Sequence, residues 1–164
     1  MGVLTIRRAK LEDAAALSQI ANGLSHFYMA DAQLPVPTWL QQSFTEEGYR
    51  QRLAEPAFIH DVAVIDGHVA GFIATRNNDY LYNLFVAQAY HGQGIAKRLW
   101  QHVLQRWQQQ AVQPATVSLR SSLFAVPVYS RFGFVKVGQV GEHEGVAFQP
   151  MALALKQSLT EERL

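Results

Sequence analysis

Apolar residues recur along this chain of 164 residues with two spacings, one typical of strands and one typical of helices. Short apolar runs between turn residues indicate buried strands, and apolar residues at every third or fourth position indicate an amphipathic helix. Strands are predicted over residues 3–8, 58–65, 69–75, 80–86, 115–119, 135–140 and 146–155. Helices are predicted after the first strand, over 44–54, over about 92–110 and just before Gly133. We therefore expect one α/β domain of the α+β kind over residues 1–156, with about seven strands and about four helices, and a polar tail over 157–164.

Turn signals and the length of the connections indicate how the strands pair. Asp66-Gly67 favours a tight hairpin and residues 77–79 favour another turn, so the strands over 58–86 are expected to form an antiparallel meander. The strand over 115–119 follows a long helix and should lie parallel to the strand over 80–86. Ser43 and Glu46 have capping-box spacing and predict a helix start. Pro150 predicts a bulge or an edge position in the last strand. The expected sheet is central, mixed and mostly antiparallel.

Composition narrows the classes of function. Hydrophobic residues make up 49% of the chain and charged residues 16%, which indicates an ordinary globular domain. The net charge of +1 argues against nucleic acid and acidic membrane surfaces as partners. The absence of cysteine excludes disulfides and a thiolate nucleophile, and the six histidines have no paired metal-binding spacing. No signal peptide is recognised at the start, and no apolar run approaches the ~18 residues of a membrane helix, so we expect a cytoplasmic protein. The histidine spacing leads us to expect no bound metal.

The most informative stretch covers residues 80–99, where a predicted strand, a glycine-containing turn and a predicted helix follow one another. Gly92 and Gly94 allow backbone N–H groups to approach a ligand closely, and the start of a helix carries partial positive charge. Such a turn is suited to an anionic group such as a phosphate, although most such turns bind nothing. A dinucleotide-binding turn is excluded because the third glycine is missing, and a P-loop is excluded because Ile95 follows Gly94.

The same stretch resembles a known family. Leu84-Phe85-Val86, followed after four residues by His91-Gly92-Gln93-Gly94-Ile95-Ala96 and then Leu99, resembles the acyl-CoA signature of the GNAT superfamily of N-acetyltransferases. Gly94 and Ala96 match that signature, whereas His91 stands where the family usually has Gln or Arg. The resemblance implies the GNAT fold and acetyl-CoA as cofactor. It implies cofactor contacts from Leu84, Phe85, Val86, His91, Gly92, Gln93, Gly94, Ile95, Ala96, Lys97, Phe124 and Tyr129.

A second segment, residues 121–134, strengthens the resemblance. Its end, Tyr129-x-x-x-Gly133-Phe134, is similar to the GNAT segment after the fifth strand, where the matching tyrosine protonates the departing CoA thiolate. Phe124 stands where the family often has Asn. Without the resemblance, Tyr129 would be read as a core tyrosine whose hydroxyl bonds a carbonyl. Ser121 and Ser122 are read as helix caps, because no Gly-x-Ser-x-Gly motif surrounds them.

The resemblance implies transfer of an acetyl group from acetyl-CoA to a primary amine of a small molecule or peptide, by direct attack in a ternary complex. Val86 would supply the backbone N–H that stabilises the oxyanion, and Tyr129 would be the acid. The general base stays open between Tyr80, Tyr82, His26 and Glu142. Residues expected near the acceptor amine are His26, Tyr28, Tyr80, Tyr82, Glu142 and His143.

Other interpretations fit the same residues. A CoA-binding sensor or partner-binding module with weak or no catalysis is compatible with Phe124 and His91, and acetylation of a protein lysine is also open. The ring of Tyr28 could belong to the core, and Glu142 and His143 could be ordinary polar residues of a hairpin. A homodimer is possible by analogy with exposed sheet edges.

Overall fold

The computed structural model describes residues 2–31 and 33–155. These residues form eight strands and five α-helices, joined by loops and short 3-10 turns. The strands are β1 (Leu4–Arg8), β2 (Phe58–Ile65), β3 (His68–Arg76), β4 (Tyr80–Val86), β5 (Thr116–Ser122), β6 (Val135–Lys136), β7 (Gly141–His143) and β8 (Val146–Ala154). The helices are α1 (Ala14–Leu24), α2 (Thr38–Ser43), α3 (Glu46–Ala54), α4 (Ile95–Gln108) and α5 (Val126–Arg131).

One sheet connects all eight strands in the order β1-β2-β3-β4-β5-β8-β6, with β7 also paired to β8. Every pairing is antiparallel except that of β4 with β5, which is parallel as the long helical connection predicts. The mixed, mostly antiparallel sheet is therefore confirmed. The parallel pair is very short, because Tyr80 opposite Ser118 is its one registered pair among the described residues. Beyond that pair β4 and β5 separate.

Helices cover both faces of the sheet. On one face α4 buries the four residues expected from its periodicity, Ile95, Leu99, Val103 and Trp107. The Trp107 indole also donates a hydrogen bond of 2.7 Å to the Asn78 side chain, so the polar atom of this large buried ring is satisfied. On the other face Leu17 of α1 and Tyr49 of α3 pack against Phe72 of β3 in a second cluster. No helix among the described residues has the length and apolar character needed to cross a bilayer.

The start of α3 differs from the prediction. The capping residue is Thr45, whose hydroxyl accepts a hydrogen bond of 3.0 Å from the Gly48 N–H. Ser43 is instead the last residue of α2, a helix that the sequence analysis did not predict, and its hydroxyl donates to the Leu40 carbonyl. Thr45 is the cap because its backbone is extended, as a capping residue requires. Pro37 directly precedes α2, and its extended backbone suits the capping position.

The C-terminal hairpin differs as well. The strand predicted over 135–140 covers two residues only, because Gly138 has a positive φ of 76° that interrupts the pairing. Part of the predicted turn over 141–145 is strand β7, and the turn itself is made by Glu144 and Gly145, both with positive φ. Pro150 faces the interruption between β6 and β7, where its carbonyl accepts from the Val137 N–H. The polar tail predicted over 157–164 lies outside the described residues.

Candidate active site

The separation of β4 from β5 opens a cavity of about 800 Å³. Its walls come from β4, the glycine loop, the first turn of α4, the end of β5 and α5. Residues predicted as cofactor contacts supply much of the lining, namely Leu84, Phe85, Val86, His91, Gly92, Gly94, Ile95, Ala96, Lys97, Phe124 and Tyr129. Gln93, the remaining one, is exposed between the two glycines and does not line the cavity.

The edge of β4 presents free peptide groups to this cavity. Ala87, directly after β4, donates its N–H to the Ala70 carbonyl on β3 at 2.8 Å. Because successive peptide groups of a strand point to opposite sides, the N–H and C=O of Val86 point away from β3. They face the gap that β5 has left. The Val86 N–H is thus available to a ligand in the cavity.

The Val86 carbonyl already has a partner in the chain. The Nε2 atom of His91 lies 2.6 Å from that carbonyl oxygen. A carbonyl only accepts, so Nε2 carries the proton in this contact. His91 therefore links the glycine loop to the end of β4 by this hydrogen bond. The link is the structural consequence of having His where the family usually has Gln or Arg.

The glycine loop has the conformation that the sequence suggests. Gly92 and Gly94 have φ values of 81° and 75°, a region that other residues adopt only with strain. A Cβ added at either glycine would meet no atom within 4 Å, so both face open space. The first intrahelical donor of α4 is Arg98, which bonds the Gly94 carbonyl, so the N–H groups before it are free. This open, positively polarised turn fits a phosphate group, and Lys97 adds a positive charge beside it.

Tyr129 brings a hydroxyl to the cavity from α5. Its side chain is 8% exposed, and its ring makes edge contacts with Phe132 and Phe134. No described residue hydrogen bonds to the hydroxyl, in contrast to the carbonyl contact expected of an ordinary core tyrosine. Burial, and to a smaller extent the neighbouring Tyr80, raises the pKa of Tyr129 well above its usual value. The phenol therefore stays protonated at neutral pH and can donate a proton or a hydrogen bond.

Two stacked rings close one side of the cavity. Phe27, after α1, and Phe124, after β5, have centroids 4.0 Å apart and an interplanar angle of 21°. Phe124 is 59% exposed even so. The residue in the position of the family's Asn thus contributes an apolar contact across the two walls. Next to it, Ser122 caps the 3-10 turn by accepting from the Ala125 N–H, whereas the Ser121 hydroxyl donates to the Ser122 carbonyl and caps no helix.

The far end of the cavity, toward the start of β4, is aromatic and polar. Tyr82 lines this end, whereas Tyr28 lines the cavity nearer the end of β4, with its ring centroid 6.0 Å from that of Phe85. Burial raises the pKa of Tyr28 well above its usual range. Asn83 and Arg120 also line this end. The Asn83 side chain is fixed by a hydrogen bond of 3.2 Å from the Tyr49 hydroxyl.

Four residues predicted near the acceptor lie outside the cavity lining. Tyr80 stands beside it, with a pKa raised by burial and lowered in part by Arg120 and Arg76. His26 is exposed and packs on Phe27. Glu142 and His143 are exposed on β7, where His143 contacts Glu144 at 3.1 Å.

Asn83, Arg120 and Arg131 line the cavity but were not predicted. Asn83 was visible as the single amide within the apolar run of β4, whereas the two arginines carried no such signal. The lining residues include no Asp or Glu among those that the structure describes. Within the same described part of the chain, no group of three or more potential ligands could hold a metal ion.

A sequence model of the acetyltransferase (GNAT) domain matches residues 29–155, most of the chain. The chain belongs to the GNAT acetyltransferase family. It is thus an acyltransferase of the acetyl-CoA-dependent class, and the predicted GNAT fold is confirmed. No curated protein sequence matches it significantly.

Solved GNAT structures share its fold at low sequence identity. A GCN5-related N-acetyltransferase from Rhodopseudomonas palustris is 18% identical with a TM-score of 0.74, covering 94% of this chain and 98% of its own. The PaiA N-acetyltransferase from Thermoplasma acidophilum, solved with coenzyme A, is 17% identical with a TM-score of 0.73, covering 93% and 99%. The ribosomal-protein-S18-alanine N-acetyltransferase from Escherichia coli is 19% identical with a TM-score of 0.68, covering 95% and 96%.

Proposed function

We propose that this GNAT domain transfers an acetyl group from acetyl-CoA to a primary amine of a small molecule or peptide, by direct attack in a ternary complex. The observation that carries the proposal is the placement in one cavity of a free strand-edge N–H, at Val86, and of a hydroxyl that no described residue hydrogen bonds, at Tyr129. The first is suited to a developing oxyanion and the second to a leaving thiolate. No covalent enzyme intermediate is needed, which suits a chain without cysteine.

Each part of the cavity has a task in this proposal. Acetyl-CoA supplies an activated acetyl group as a thioester. The glycine loop and the N-terminus of α4 bind its phosphates, and the free edge of β4 at Leu84 and Val86 binds its arm. The Val86 N–H stabilises negative charge on the carbonyl oxygen, and the Tyr129 hydroxyl donates to the sulfur as the carbon–sulfur bond breaks.

The attacking amine must lose its proton, since an ammonium of pKa about 10 has no lone pair at neutral pH. No carboxylate of a described residue lines the cavity to take it. We infer that the proton leaves through water held at the acceptor end, with Tyr82 the predicted residue best placed to orient that water. Tyr80, His26 and Glu142 stay alternative bases.

A solved GNAT structure bears on the choice of acceptor. The similarity to an enzyme that acetylates the alanine of ribosomal protein S18 favours a peptide α-amine among the acceptors. Acetylation of a protein lysine stays an alternative. The cytoplasmic location and the homodimer stay predictions from the sequence.

The first experiment is calorimetric titration of the protein with acetyl-CoA, with free CoA and ATP as comparisons. Binding that prefers acetyl-CoA supports the cavity as the cofactor site, and release of free thiol with an amine panel supports turnover. Binding without thiol release for any amine would favour the sensor interpretation. No CoA binding at all would contradict the proposal.

A further inference from the structure

Two arginines without carboxylate partners flank the acceptor end of the cavity. Arg120 lines the cavity from β5, with its guanidinium 5.1 Å from the centroid of the Phe148 ring. Arg76, at the end of β3, lies over the Tyr80 ring at 4.6 Å and near the Tyr82 ring at 5.6 Å. Both arginines lie near Tyr80, because Arg76 stacks over its ring and the pairing of Tyr80 with Ser118 places Arg120 two residues along the neighbouring strand.

Neither Arg76 nor Arg120 has an acidic partner among the described residues. Other arginines, Arg7, Arg8, Arg50 and Arg106, make ion pairs with Asp or Glu at distances of 2.6 to 3.4 Å. No carboxylate of a described residue lies within 4.0 Å of Arg76 or Arg120, and none lines the cavity. The protein leaves the positive charge at this end uncompensated.

The cofactor does not account for this charge. Ser118 is opposite Tyr80 in the parallel pair, so Arg120, two residues further on, is near the level of Tyr82. The glycine loop follows the other end of β4, beyond Val86. The phosphates proposed for that loop are therefore far from Arg120 along the strand.

We propose that the acceptor amine carries an anionic group, a carboxylate or a phosphate, and that Arg120 binds it with support from Arg76. This inference rests on the proposed function. A guanidinium suits either anion because it offers two parallel N–H donors. The rings of Tyr80 and Tyr82 pack against Arg76, and the Phe148 ring packs against Arg120. The same charge repels polyamines and other acceptors whose only charges are positive.

The test compares acceptors that differ in one charge. An α-amino acid, its amide, the corresponding decarboxylated amine and an aminoalkyl phosphonate are assayed for thiol release with acetyl-CoA. We expect the anionic acceptors to exceed the amide about 10- to 100-fold in kcat/KM, the value of a charge-assisted hydrogen bond. The relative activity of the carboxylate and the phosphonate identifies the anion.

Variants connect the preference to the residue. Arg120→Gln should remove most of the preference for the anionic acceptors while leaving acetyl-CoA binding within about twofold. Arg50→Gln is the matched control, because Arg50 is ion-paired to Glu46 on the exposed side of α3 and should keep the full preference. Equal rates for acid and amide in the wild type, or a preference that survives Arg120→Gln, would overturn the inference and leave the proposed function intact.

Failure of the proposed function gives a different result. If acetyl-CoA binds but no amine releases thiol, the amino acid and its amide are titrated into the CoA complex. Tighter binding of the acid that is lost in Arg120→Gln supports the anion site without turnover. Equal binding of the two overturns it.

Discussion

Replacing Tyr129 by Phe tests the catalytic part of the proposal with little effect on the fold. The substitution removes one oxygen atom and keeps the ring that packs on Phe132 and Phe134. No described residue hydrogen bonds to that oxygen, so no buried partner is left unsatisfied. We expect the free energy of unfolding to change by less than about 1 kcal/mol.

The effect on turnover should be much larger. Burial raises the pKa of the Tyr129 hydroxyl, so it stays protonated and can donate to a leaving sulfur. A thiolate that leaves in a buried site has little water to solvate it and depends on such a donor. Removing one donor to a developing anion costs about 10²- to 10³-fold in kcat, or about 2.7 to 4 kcal/mol.

The assay measures thiol release at saturating acetyl-CoA and amine, and titration of acetyl-CoA into the variant. A loss of kcat with nearly unchanged acetyl-CoA affinity is the expected result. Tyr28→Phe is the comparison, because Tyr28 also lines the cavity with a pKa raised by burial. Unchanged turnover in Tyr129→Phe would refute its role as the acid, and a larger loss in Tyr28→Phe would transfer the role to Tyr28.

The features that could be predicted from the sequence are those with local causes. The core face of α4 could be predicted from the spacing of its apolar residues. The glycine loop could be predicted because Gly92 and Gly94 adopt backbone conformations that favour glycine. Two local capping signals can also compete, as the start of α3 shows. Ser43 and Thr45 are two residues apart, and the cap depends on which of them has an extended backbone, a choice that α2 decides.

The composition of the acceptor end could not be predicted, because it depends on contacts between distant segments. Arg120 follows the alternation of β5, but its access to a cavity results from the separation of that strand from β4. Phe124 stacks on Phe27, which lies 97 residues earlier in the sequence. Glu142 was predicted on a turn, whereas Gly138 interrupts the pairing early and the residue lies on strand β7, outside the cavity.

Three further changes test the remaining inferences. Gly94→Val should weaken acetyl-CoA binding at least about tenfold, because a β-branched residue is strained at a φ of 75° and its side chain enters the open turn. Unchanged affinity in a titration would contradict the phosphate site. The rate of thiol release should rise tenfold per pH unit toward the pKa of the amine, because no carboxylate of a described residue lines the cavity. A plateau in the rate near pH 6 to 7 would reveal a protein base. His60 tests stability: burial lowers its pKa to about 4, and neither ring nitrogen has a hydrogen-bond partner among the described residues. Unfolded His60 takes up a proton below about pH 6.5 while the folded form does not, so stability is full above that pH and falls by about 1.4 kcal/mol per unit down to about pH 4. Urea unfolding at pH 7.5 and 5.0 should show a loss of about 2 kcal/mol in the wild type that His60→Leu mostly abolishes, and equal losses in both proteins would show that other groups cause the acid sensitivity.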